Sequence, residues 1–149
     1  MTPSTFTSVD ESANKLELSG TVDEGYKWRG AGLRYENTMV INARFYATDV
    51  ESLEIRVTKN GFTTTYSSAD FKDNGDGSYS LYIRGICFTQ FDDAIVASFY
   101  SNGEQVGQTL TYSVNTYVYR NQNTSNEALR DLLRATYLYG ESAKAYKNK

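Results

Sequence analysis

Tyr26 and Trp28 stand two residues apart in the stretch GYKWRGAGLRY at 25–35, and Trp28 is the only tryptophan of the chain. In an extended strand residues i and i+2 project from one face, so these two rings would share a side. Planar aromatics held that way stack on the C–H faces of sugar rings. Tyr35 would add a third ring, and Arg29 and Arg34 would supply donors for hydroxyls. The chemistry is that of carbohydrate recognition, with Tyr26, Trp28, Arg29 and Tyr35 as the candidate binding residues. A plain packing role fits the same residues, with the indole under a neighbouring strand and only the phenol hydroxyls reaching water. The two readings make opposite demands. A platform requires an exposed Trp28 roughly coplanar with Tyr26, whereas a buried indole favours a spacer that binds no glycan.

Other chemistries are poorly supplied. No histidine occurs among the 149 residues, which removes Ser-His-Asp and Cys-His nucleophilic machinery, imidazole metal sites and the usual general base near neutral pH. Cys87 is the sole cysteine, so no internal disulfide can form. Lying between Ile86 and Phe88, it reads as a small buried hydrophobe. Phosphate-binding fingerprints of the Walker or dinucleotide type are absent. A glycosidase pair could draw on Asp23, Glu24, Asp92 or Asp93, but such carboxylates must flank a cleft on rigid strands, and these lie in turn-like segments. DNGDG at 73–77 reads as a Gly/Asn/Asp hairpin turn, with a calcium ion held by Asp73 and Asp76 as the alternative. Arg84 stands where the twelfth position of an EF-hand loop needs a glutamate, which weakens that alternative. The expectation is a protein that is not an enzyme and carries no cofactor.

These residues must be positioned by strands. The chain is of single-domain length, rich in tyrosine (13) and nearly free of proline (one), a balance that favours sheet. Leu16 and Leu18, then Met39, Ile41, Ala43 and Phe45, then Leu53, Ile55 and Val57, alternate with polar residues. Asn60-Gly61 and Asn102-Gly103 sit between alternating runs, where a two-residue turn needs positive φ at both positions. The expected architecture is mainly β with a C-terminal α part: an antiparallel, Ig-like β-sandwich of seven or eight strands closed by one or two helices. Thr124-Ser125-Asn126-Glu127 matches a capping box. It opens an amphipathic helix over about 125–146, with Leu129, Leu132, Leu133, Thr136, Tyr139, Gly140 and Ala143 on one face. Residues 113–121, SVNTYVYRN, fit a short helix capped by Ser113 or, by their β-branched content, a strand. The first 13 residues read as a Ser/Thr-rich linker without the basic and apolar regions of a signal peptide, and 14–149 as one module. A net charge of −3 and a pI near 5 speak against nucleic-acid binding, which needs a basic face, and against a membrane surface. No apolar run approaches the length of a membrane span.

Four stretches carry a resemblance: GLRYEN at 32–37, GSYSLYIRGICFTQFDD at 77–93, LTYSVNTYVYR at 110–120 and ALRDLLRATYLYGESAKAY at 128–146. Over about residues 30–146 the chain resembles a family of extracellular modules in gut and rumen Firmicutes. These lie near the C-termini of large surface proteins, beside leucine-rich repeats, Ig-like domains or glycoside hydrolases. Their last helix ends in YG-x-x-A-x-x-Y, met here by Tyr139, Gly140, Ala143 and Tyr146. The family's Tyr-Ser-Val start, here at Tyr112, opens a shorter helix, which favours the helical reading of 113–121. Cys87 departs from the small residue usual at its place. The resemblance implies a secreted or cell-surface, non-catalytic accessory module of a longer chain, and the module is expected to be a monomer. Its partner would be a polysaccharide or neighbouring domains, and it brings no binding-site residues of its own.

Overall fold

A computed structural model of the chain describes residues 17–36 and 38–147; the linker-like segment 1–13, and Leu16 with it, lie outside them. Among the described residues nine strands and two α-helices follow in order: β1 (Glu17–Ser19), β2 (Tyr26–Tyr35), β3 (Met39–Ala47), β4 (Leu53–Lys59), β5 (Phe62–Tyr66), β6 (Lys72–Asp73), β7 (Ser78–Ile86), β8 (Ile95–Ser101), β9 (Glu104–Tyr112), α1 (Val114–Asn121) and α2 (Glu127–Lys147). The expected count of seven or eight strands is exceeded by the two-residue β6, too short to show a period in sequence. The β4–β5 and β8–β9 hairpins turn on Asn60-Gly61 and Asn102-Gly103, each pair with φ positive at both residues.

The strands form two antiparallel sheets, ordered β1-β9-β8-β4-β5 and β2-β3-β7-β6. Their inner faces meet in one core, where Ile41, Phe45, Ile55, Leu81, Ile83 and Phe99 are almost wholly buried. The apolar alternation in β3, β4 and β7 thus faces inward, as the period of two requires. Ser78 and Ser80, on the opposite face of β7, are buried as well. The Asn74 amide caps them, donating to both hydroxyls at 3.2 and 3.0 Å.

Both segments after β9 are helical. Ser113 caps α1, its Oγ accepting from the Thr116 N–H at 3.1 Å, so local capping overrides the β-branched content of 113–121. The cap of α2 is Asn126, whose Oδ1 accepts from the Leu129 N–H at 3.1 Å, rather than the expected Thr124. Leu133 and Thr136 are buried, but Leu132 and Tyr139 are 45% and 60% exposed, and Tyr137 packs inward instead. The buried stripe is narrower than the sequence periodicity suggests, because α2 rests on α1 and on the 88–91 segment rather than on a broad sheet face. Gly140 makes that contact possible, since a Cβ there would lie 2.6 Å from Phe91 Cδ2. Cys87, expected in the core, is exposed. Positive φ at Gly85 and the close of β7 at Ile86 turn it outward, into the first position of a 3-10 turn. Among the described residues no helix is long and apolar enough to cross a membrane.

Candidate functional site

Trp28 lies where β2 of the four-stranded sheet meets β8 and β9 of the other. Its ring stacks on Phe99 at 4.2 Å with 21° between planes and meets Phe45 edge-on at 6.0 Å. Its Nε1–H donates to the Gln108 carbonyl oxygen at 2.8 Å. Tyr26 shares this inward side, with its centroid 6.3 Å from that of Phe99 at 45°. Two rings inclined so differently to a third are not coplanar, so Tyr26 and Trp28 come together without forming a flat platform. Close approach of the strands depends on Gly107, where a Cβ would lie 2.6 Å from the Tyr26 carbonyl oxygen.

The other two candidates point elsewhere. Pairing of β2 with β3 shifts register between Trp28 and Gly30, a bulge that leaves Arg29 unpaired and re-aims its side chain. The guanidinium crosses to the β6–β7 turn, donating to Asp76 at 2.7 Å and to Ser78 Oγ at 3.1 Å, and lies 5.7 Å from the Tyr46 ring centre. Tyr35, at the far end of β2, bonds through its hydroxyl to Thr136 Oγ1 of α2 at 2.8 Å. Thr136 donates in turn to the Leu132 carbonyl at 2.7 Å, so the Tyr35 hydroxyl is the donor of the pair.

In the DNGDG turn, Asp76 Oδ1 accepts from the Ser78 hydroxyl and N–H at 2.6 and 3.0 Å, and Oδ2 from Arg29. The Ser78 hydroxyl first, then Arg29, hold the Asp76 carboxyl far below the usual range. Asp73 Oδ1 accepts from the Gly75 N–H at 2.8 Å. Both acids are engaged in shaping the turn, with Gly75 and Gly77 at positive φ.

Beside Trp28 a cleft of about 260 Å³ opens between β2 and the β1–β9 edge, with α1 at one end. Leu18, Leu110 and Ala31 give it apolar walls; Trp28 and Tyr112 add aromatic surface, and Arg29, Arg44 and Arg120 bring charge. Arg44 stands opposite Gly30 in the hairpin register. A Cβ on Gly30 would come into ordinary contact with an Arg44 Nη atom at 3.9 Å, which places the guanidinium directly beside this strand. Burial pushes the Tyr112 phenol well above its ordinary range and Tyr117 adds to this, while Arg120 and Arg44 oppose the shift. Arg44 and Arg120 were not singled out in the sequence, because they lie 76 positions apart and meet only through the β2–β3 register and the fold-back of α1. The one sequence signal is the pairing of Arg44 with Gly30 once β2 and β3 are recognised as antiparallel neighbours.

Among the described residues no group of three or more Cys, Asp or Glu side chains is placed to hold a metal ion. No protein-family model, curated protein or solved structure matches the chain.

Proposed function

We propose that this chain is a non-catalytic accessory module of a secreted or cell-surface protein, binding polysaccharide in the cleft beside Trp28. The observation that carries the reading is the convergence of one indole, apolar walls and guanidinium donors on a single concave site. A sugar ring needs this combination: apolar surface for its C–H face and fixed donors for its oxygens. The strand order supports an Ig-like sandwich, the architecture common to many such modules. With β2 to β9 lettered A, B, C, C′, D, E, F and G, the sheets run A-B-E-D and G-F-C-C′, with β1 added beside G. The resemblance of 77–93 and 128–146 to modules of Firmicutes surface proteins supports the extracellular setting. A screen of the protein on an array of plant and host polysaccharides tests the reading. Saturable retention of at least one glycan is expected, and a silent array refutes it.

One observation favours a second reading, a structural spacer contacting neighbouring domains. The ring and N–H of Trp28 are already engaged in joining the two sheets, as a purely structural residue would be. Native-like melting of the protein with no glycan retained is the result that reading requires.

A further inference from the structure

Among the described residues the cleft is lined by three arginines and no acidic side chain, in a chain whose net charge is −3. Arg29 is neutralised by Asp76. Arg44 and Arg120 are exposed and form no ion pair with any of the described residues. The other ion-paired arginines lie away from the cleft, beside Glu36, Glu54 or the start of α2. Two uncompensated guanidinium groups flanking an aromatic-walled concavity leave donor forks whose geometry matches a carboxylate. We infer that the cleft selects an acidic polysaccharide, its Arg44 and Arg120 side chains gripping the carboxylate of a uronic acid unit while Trp28 and Leu18 line the sugar's apolar side.

This inference rests on the glycan-binding reading and narrows it to a substrate class. Overall negative charge works against indiscriminate attraction of a polyanion, so recognition depends on the local pair of cations. Binding therefore weakens with salt, as charge-assisted contacts at an open cleft must.

Affinity electrophoresis against polygalacturonate, its fully methyl-esterified form and dextran sulfate tests the idea on the whole chain, alongside R44Q/R120Q. Both side chains are exposed, so the double variant is expected to melt like the parent. Polygalacturonate should retard the protein, and either esterification or the double substitution should weaken retardation by about tenfold or more. Equal retardation by acid and ester, no effect of R44Q/R120Q, or retardation by dextran sulfate alone overturns the carboxylate assignment while leaving glycan binding standing. No retardation by any gel, together with a silent array, overturns the glycan-binding reading beneath it.

Discussion

The indole nitrogen of Trp28 donates to the carbonyl oxygen of Gln108 at 2.8 Å, joining an edge strand of one sheet to the facing strand of the other. The residue that the sequence offers as a ligand platform is thus first a clasp between layers. W28A should cost about 3 kcal/mol, through lost packing and the space left behind. W28F retains an aromatic ring for Phe99 but leaves the Gln108 carbonyl without this donor, at a cost of about 1 kcal/mol. Chemical denaturation checks both values; a W28A midpoint equal to the parent's would refute the inter-sheet role.

Acid should weaken the Arg29–Asp76 link in a definite window. The folded-state carboxyl of Asp76 is depressed by the Ser78 hydroxyl, Arg29 and the Ser78 N–H. Its contribution is therefore complete above the unfolded value, near 4, and fades as pH falls through the folded one. D76N should melt below the parent at pH 7, and the gap should narrow as the buffer is taken from about pH 4 toward pH 2. A gap that is constant with pH would show that the charge plays no part.

Alkali acts through phenols that the fold shields, Tyr112 most fully. Tyr35, Tyr66 and Tyr112 are all shifted upward, chiefly by burial. A raised folded value favours the neutral form, so this stability is present below the unfolded value of about 10 and lost as pH rises beyond it. Denaturation midpoints at pH 8 and pH 11, read with phenolate absorbance, should show the loss. Y112F should flatten it.

Helix α2 should respond unequally along its length. L133A, at a fully buried site, should cost about 2–5 kcal/mol, and L132A, at a half-exposed one, no more than about 1.5 kcal/mol. G140A should destabilise by about 1–3 kcal/mol, although alanine favours helix by about 1 kcal/mol over glycine, because its Cβ would collide with Phe91. Thermal melts of the three variants test this ranking.

Much of the fold was legible because local signals agree with it. The Asn-Gly turns set two hairpins and alternation in β3 and β4 marked the inner faces, while Ser113 offered a helix start that the β-branched content of 113–121 left open beside a strand. What escaped depends on long-range contacts and local backbone geometry. Exposure of Leu132 follows from how little surface α2 meets, and exposure of Cys87 from the positive φ of Gly85 near the end of β7 and the 3-10 turn that follows Ile86. The site was legible only in part. Trp28 and Arg29 do line the cleft, whereas Tyr35 serves α2 and Tyr26 packs on Phe99. Arg44 and Arg120 enter through strand register and helix placement, which no spacing along the chain reveals.

Because Trp28 is the only tryptophan and lines the cleft, its emission reports occupancy without a label. Titration with a polysaccharide that retains the protein should shift or quench that emission saturably, with a midpoint that matches the retention measurement and moves about tenfold or more to higher concentration in R44Q/R120Q. Retention accompanied by unchanged Trp28 emission would place the ligand elsewhere and contradict the account.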